Sequence, residues 1–267
     1  MGARSARAVG PLAVAEVSIA LSDNALSRKK TDIGKKFPEK PEVRGRGPWA
    51  RYDNAMSEMA LNRAAAWSLL TEYTESPSLL KHALAVETCT RAYGEREAAA
   101  RGMSSEEAAA LVELYGNAGL LHDFDYEKFP SREEHPFVGN RILAERGWPE
   151  ELRHAILAHA EYSGTPRVSH LDKVLFACDE LAGFLTACAL VKPTKSIGDV
   201  EVAGVKKKMK DKAFARGVNR DDITEGAEEL GVPLDEHIAF CIEAMRRNAE
   251  ELGLEGRPAP SALGESR

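Results

Sequence analysis

Six residues of metal-ligating type fall on apolar faces of this chain: His82, His122, Asp123, His135, His159 and Asp179. His82 has Leu79 three residues before it and Val86 four after it, the spacing of one helical face. His135 has Val138 and Ile142 at i+3 and i+7, and His159 lies over Leu152, Ala155 and Ile156. Asp179 lies between Leu175 and Ala182 on a stripe that also includes Leu171, Val174, Cys178, Leu181 and Leu185. The pair His122-Asp123 ends the apolar run Ala118-Gly119-Leu120-Leu121. An ionised carboxylate taken out of water is costly unless it is paired or bound to a metal. Imidazole and carboxylate together suit Mn, Fe, Co, Ni or Zn. A single inward histidine is more often a satisfied core residue than a ligand. His154, on a mixed face, is read as structural or exposed, His170 as preceding the next helix and capping it, and His237, in a C-terminal helix, is given no role. Six ligand-type residues together point to a metal centre.

Two further groups carry charge near these residues in the sequence. Asp125, Tyr126, Glu127 and Lys128 follow the His-Asp pair in a loop. Asp125 is a candidate to accept a proton or orient water, and Lys128 to pair with phosphate; the competing reading is a solvated loop of Asx-type turns. Lys206-Lys207-Lys208, Lys210, Lys212, Arg216 and Arg220 form a basic segment. Val205 and Met209 stand four apart in it, so most of its lysines belong on the solvated face of an amphipathic helix. Lys212 and Arg216 are the candidates to reach a substrate phosphate as cations.

The elements that must position these residues read as helices. Ala60–Tyr73 is rich in Ala and Leu and stops before Ser76-Pro77; Ser78–Tyr93 follows, with Gly94 as its stop. Ser104 and Ser105 before Glu106-Glu107 start a helix that runs to about Leu121. Pro136 and Pro149 each fit the first turn of a short helix. Leu171–Leu190 makes a long helix ended by Pro193, and Leu234–Leu252 carries an amphipathic stripe. No convincing strand pair or repeat is visible, so the fold class is all-α.

Composition agrees. The 267 residues are 43% hydrophobic and only 6% aromatic, which favours helices over a β-sandwich and allows one well-cored domain with appendages. The net charge of -6 argues against nucleic-acid binding along the whole chain. No apolar run is long enough to cross a bilayer, so no membrane partner is expected. Cys89, Cys178, Cys188 and Cys241 form no CxxC pair, and three of them sit in apolar helical patterns. A cytoplasmic protein is the simpler reading. Residues 1–55, with Arg28-Lys29-Lys30 and several prolines, read as a disordered tail or an over-long start before Met56 and Met59. Pro11 and Glu16 interrupt the weakly apolar stretch near the start, against a signal peptide, and Ala6 breaks the lipidation pattern.

The order His82, His122-Asp123, Asp179 resembles the H…HD…D signature of HD-superfamily phosphohydrolases. The added His135, in His135-Pro136-Phe137-Val138-Gly139-Asn140-Arg141-Ile142-Leu143, and His159 resemble the longer H…HD…H…H…D form, which is associated with two adjacent metals. The motifs cover about residues 60–190, and the stretch from Ala182 to Met245 looks like a subgroup of uncharacterised HD hydrolases. The resemblance implies an HD-domain helical bundle with additional C-terminal helices: a metal-binding domain at 56–195, a helical extension at 196–254 packed on it, and a tail at 255–267. It implies divalent metal at one certain site and a second beside it. His82, His122, Asp123 and Asp179 would hold the first, and Asp123 would bridge to a second held by His135 and His159. It implies hydrolysis of a phosphate ester on a small molecule, such as a nucleotide, by metal-activated water. Relatives that cleave cyclic dinucleotides carry two adjacent histidines and a GYP tripeptide, where this chain has Ala160 and Gly164-Thr165-Pro166, so that activity is not expected. The alternatives are an HD-type di-iron oxygenase and a nucleotide-binding regulatory module.

Overall fold

A computed structural model of the chain describes residues 62–256; the readings of residues 1–55, of the start of the first helix and of the last residues from 257 lie outside the described residues. Nine α-helices and two single 3-10 turns, with no strand, make up the described residues. They are α1 (Arg63–Tyr73), α2 (Pro77–Arg101), α3 (Ser105–Leu121), α4 (Phe137–Glu145), α5 (Glu150–His159), α6 (His170–Leu190), α7 (Val202–Met209), α8 (Arg220–Leu230) and α9 (Leu234–Arg247). The 3-10 turns are Glu161–Ser163 and Ile197–Asp199. Among the described residues, no helix is long and apolar enough to cross a membrane.

Local sequence sets most of the helix starts. Ser104 accepts from the Glu107 backbone N–H, while the Glu107 carboxylate accepts from that of Ser104, a complete capping box. Ser169 and Asp172 close the same box at the start of α6. Pro77 occupies the first turn of α2, where its missing N–H costs nothing. Pro136 and Pro149 fall one position earlier than expected, as the caps of α4 and α5.

Two expected boundaries moved. Gly94 does not stop α2, which runs on to Arg101 and ends at Gly102 in the left-handed conformation (φ 63°). Gly94 instead serves close approach: a Cβ there would stand 3.1 Å from Cβ of Tyr115 on α3. The last helix ends at Arg247 instead of Leu252. Leu252 and Leu254 still reach the core from the following turns, and the Leu254 carbonyl accepts the Ile197 N–H at 2.9 Å.

α2 and α3 make the most extensive pairing, and α6 packs on α2, α5 and α8. One apolar cluster runs from Ala66 in α1 to Leu254. The C-terminal helices share this core: Ile223 of α8 and Ile238, Cys241, Ile242 and Met245 of α9 are all buried in it. All four cysteines are free and buried.

Gly226 lets α8 approach α6. A Cβ at Gly226 would lie 2.6 Å from Cα of Ala177, closer than real Cβ atoms come. Replacing a helical glycine by alanine gains about 1 kcal/mol of propensity where there is room. Overpacking typically costs about 1–3 kcal/mol, so the clash wins. Gly226→Ala is expected to lower the thermal midpoint by roughly 2–8 °C. An unchanged or raised midpoint would show that α8 can lift off α6 without loss.

Candidate metal centre

The helices deliver the six ligand-type residues from five separate stretches of chain. His82 lies in α2 and Asp179 in α6. His122 caps the C-terminus of α3, and Asp123 follows it in the turn. His135 precedes α4, and His159 is the last residue of α5. The turn after α3 is pinned to the end of α1. Phe124 is fully buried with its ring edge-on to Tyr73 at 5.3 Å, and the Thr74 hydroxyl donates to its carbonyl at 3.0 Å.

Their ligand atoms gather into two groups: His82, His122 and Asp179, and Asp123, His135 and His159. In the first, His82 Nε2 stands 3.2 Å from His122 Nε2 and 2.9 Å from Asp179 Oδ1, and His122 Nε2 is 3.4 Å from that oxygen. In the second, Asp123 Oδ1 is 3.2 Å from His135 Nε2 and 3.4 Å from His159 Nε2. The other oxygen of Asp123, Oδ2, is 3.3 Å from His122 Nε2 in the first group. Asp123 thus turns one oxygen to each group.

The donor chemistry fits divalent cations. Ligand atoms about 2.0–2.2 Å from one cation stand roughly 2.9–3.5 Å from each other at tetrahedral or octahedral angles, which is the spacing found. The protons argue the same way. His122 Nδ1 lies 2.8 Å from the Gly119 carbonyl, His159 Nδ1 faces the Ile156 carbonyl at 2.5 Å, and His135 Nδ1 faces Asp125 Oδ1 at 2.8 Å. Each of these partners accepts, so each Nδ1 carries the hydrogen, and a neutral ring leaves Nε2 as a lone pair aimed at carboxylate oxygens. Lone pairs facing lone pairs need a cation between them, either a proton or a metal.

Without metal, protons take that place. For His122, burial opposes the charged ring, but Asp123 and Asp179 outweigh it and hold its pKa well above the ordinary value. Burial likewise opposes charge on His135, yet its hydrogen bonds to Asp123 and Asp125 raise it to about 9. Burial pushes the two carboxyls up, but the imidazoles pull Asp123 and Asp179 well below the usual range. Imidazolium stability of this kind is fully present below the unfolded value of 6.5 and is lost as pH rises through about 9. The carboxylate part is lost only in strong acid. The metal-free chain is therefore expected to lose stability from about pH 6.5 to 9, while metal must displace the His135 proton and binds more tightly over the same range. Melting curves with Mn²⁺ and with EDTA at several pH values check this; parallel curves would refute it.

The other candidate residues fall in different places. Asp125 is 1% exposed, with Oδ1 on His135 Nδ1 and Oδ2 accepting the Gly139 N–H at 2.7 Å. Both oxygens are engaged, so the expectation that it exchanges protons with a reactant gives way to a positioning role for His135. Lys128 is not at the metal groups: its Nζ donates to the Glu72 carbonyl at 2.6 Å and lies 4.5 Å over the Tyr73 ring. The free carbonyls at the end of α1 attract that cation more strongly than an open loop would. Lys212 and Arg216 are exposed in the stretch between α7 and α8, and neither makes a described contact with the two groups. Lys206 pairs with Asp235 at 2.7 Å and Lys208 lies over Phe214, as on a solvated basic face.

Three residues near the centre carry no signal in the sequence patterns. Glu180 follows Asp179; burial and then the Asp179 charge push its carboxyl well above the usual range, and its Oε2 finds no hydrogen-bond partner among the described residues. Arg132 and Tyr162 pair in a cation–π contact at 5.1 Å. All three lie in loops or beside a ligand, where apolar periodicity gives no contrast. His237, given no role from the sequence, is a buried core histidine, with Nδ1 2.7 Å from the Tyr93 hydroxyl and Nε2 2.9 Å from the Ala177 carbonyl.

Residues 79–183 match the family model described as the HD domain. No curated protein and no solved structure matches the chain.

Proposed function

We propose, for a chain whose residues 79–183 are the HD domain of metal-dependent hydrolases, that it hydrolyses a phosphate ester of a small molecule such as a nucleotide. The observation that carries this reading is Asp123, with Oδ2 3.3 Å from His122 Nε2 and Oδ1 3.2 Å from His135 Nε2. A carboxylate shared in this way suits two adjacent cations. His82, His122 and Asp179 would hold one, His135 and His159 the other, and Asp123 both. Cations so placed supply Lewis acidity towards a phosphoryl oxygen and make bound water more acidic.

The chain's own residues orient the centre. Gly119 and Ile156 carbonyls and the Asp125 carboxylate fix the hydrogen on Nδ1 of three imidazoles, which keeps each Nε2 facing inward. Burial of these groups lets them act without rearranging solvent.

The test is phosphate release from a panel of nucleotides and sugar phosphates by the full chain supplied with Mn²⁺, beside Asp123→Ala. Turnover present in the wild type and lost in the variant supports the reading and begins to name the substrate. No turnover with Mn²⁺, Fe²⁺, Co²⁺, Zn²⁺ or Mg²⁺ would sink it, and oxygen consumption by the iron-loaded chain would then favour the oxygenase alternative.

A further inference from the structure

His159 holds a weaker position than the ligand-type residues on long helices. His82 and Asp179 lie well inside α2 and α6, whereas His159 is the last residue of α5. The final turn of a helix lacks backbone partners for its carbonyls and frays readily. The contact of its own Nδ1 with the Ile156 carbonyl sets the ring against that turn, but does not set the turn against the other ligands.

Side chains from beyond the helix take up the next two carbonyls. The Ser163 hydroxyl donates to Leu157 at 2.6 Å, and the Arg167 guanidinium reaches Ala158, the residue before His159, at 3.4 Å. Arg167 is itself firmly held. Its Nε and Nη2 donate to the two Glu229 oxygens at 2.8 and 2.7 Å, a bidentate pair, and Glu225 stands 3.5 Å away. Its Cζ lies 3.6 Å from the centre of the Phe176 ring. The Arg167 side chain is only 10% exposed, so this pair is screened less than an ordinary surface ion pair. Phe176 stands three residues before Asp179 on α6, and Glu225 and Glu229 share α8 with Gly226, where that helix comes against Ala177. Arg167 thus joins the turn that carries His159 to the helix that carries Asp179 and to α8. Glu225 and Glu229 lie beyond residues 79–183, so this grip comes from outside the HD domain.

Building on the two-metal centre of the proposed function, and not on its reaction, we propose that Arg167, gripped by Glu229, is a positioning residue that holds His159 for the second cation. The C-terminal helix α8 is then part of the metal centre. A ligand must be held to within a few tenths of an ångström for a cation to bind well, and a helix end secured only by its own last turn does not supply that.

The test is Mn²⁺ titration of the metal-free full chain with no substrate present, and the step that disappears in His159→Ala marks the second group. Arg167→Met is expected to weaken that step about ten- to a hundredfold and to leave the first within about twofold, as when a ligand's outer partner is removed. Glu229→Ala should weaken the same step about tenfold, although Glu229 is no ligand. Arg167→Lys should recover only part of the affinity, because an ammonium cannot span both Glu229 oxygens and the Ala158 carbonyl. Glu229→Gln, which keeps one acceptor, should bind better than Glu229→Ala. Ile242→Val, a core lesion on α9, controls for lost stability: it should lower the melting midpoint and move neither step. A second step unmoved in Arg167→Met and Glu229→Ala, or both steps weakened alike, would overturn the proposal while the two-metal reading stands. A wild-type chain that takes up a single ion overturns both. Two bound ions with the second step weakened as expected, but no ester hydrolysed, would uphold the positioning role and sink only the hydrolysis.

Discussion

Asp123→Ala is expected to lower phosphate release by roughly three orders of magnitude or more, and to reduce bound Mn²⁺ from two ions per chain to at most one. The size follows from position. Every other ligand serves one group, whereas Asp123 stands 3.3 Å from His122 in the first and 3.2 Å from His135 in the second. Its removal also leaves His122, 0% exposed, with one anion fewer to balance a proton or a metal. Asp123 is not a keystone of the apolar core, since its side chain is 21% exposed and the neighbouring Phe124 does the packing. The variant should therefore fold, although its melting midpoint in EDTA should lie below wild type at neutral pH, where Asp123 holds the imidazolium charges, and approach it above about pH 9. Asp123→Asn separates shape from charge: it keeps one acceptor oxygen but not the anion, and should be nearly as inactive. Metal analysis beside the kinetics checks the argument. A fully active Asp123→Ala protein, or one that still held two ions, would remove the shared carboxylate from the account.

The six candidate ligands stand out in the sequence because apolar faces make them conspicuous. His82 and Asp179 interrupt stripes of Leu, Val and Ala, and the interruption is the signal. The structure brings all six together, although they come from stretches as far apart as residues 82 and 179. What could not be read was the role of loop residues that break no apolar pattern. Asp125 and Lys128 stand two and five residues after Asp123, so sequence alone allows either to face a substrate. Folding sends Asp125 to His135 and Lys128 to the end of α1, because a buried imidazole N–H and unpaired helix carbonyls each need a partner. Arg132 and Tyr162 are 30 positions apart with no periodic pattern around them, and only the fold pairs them. Gly94 was misleading for a related reason. Glycine at a helix end and glycine at a helix crossing look identical in sequence, and only the 3.1 Å approach of Tyr115 separates them.

Asp125→Ala is expected to weaken metal binding at the second group about ten- to a hundredfold while leaving the first intact, the usual loss when a ligand's orienting partner is removed. His135 Nδ1 has Asp125 Oδ1 at 2.8 Å, and loss of that acceptor frees the ring to turn and to place its hydrogen on Nε2, where it blocks the metal. Asp125→Asn should fall between the two proteins. An amide can still accept from His135, but its other end then presents N–H to the Gly139 N–H, now 2.7 Å from a carboxylate oxygen. Gly139→Ala should reproduce the defect without touching Asp125 or any ligand. A Cβ at Gly139 would lie 2.6 Å from the Asp125 carboxyl carbon and 2.7 Å from Oδ2, so the carboxylate must move, and it is too deeply buried to move far. Titration with Mn²⁺ reads the two sites separately, and only the weaker step should shift in all three variants. Equal weakening of both steps would mean that Asp125 supports the bundle as a whole. An unshifted second step would mean that Ser131–His135 and α4 hold the imidazole without it.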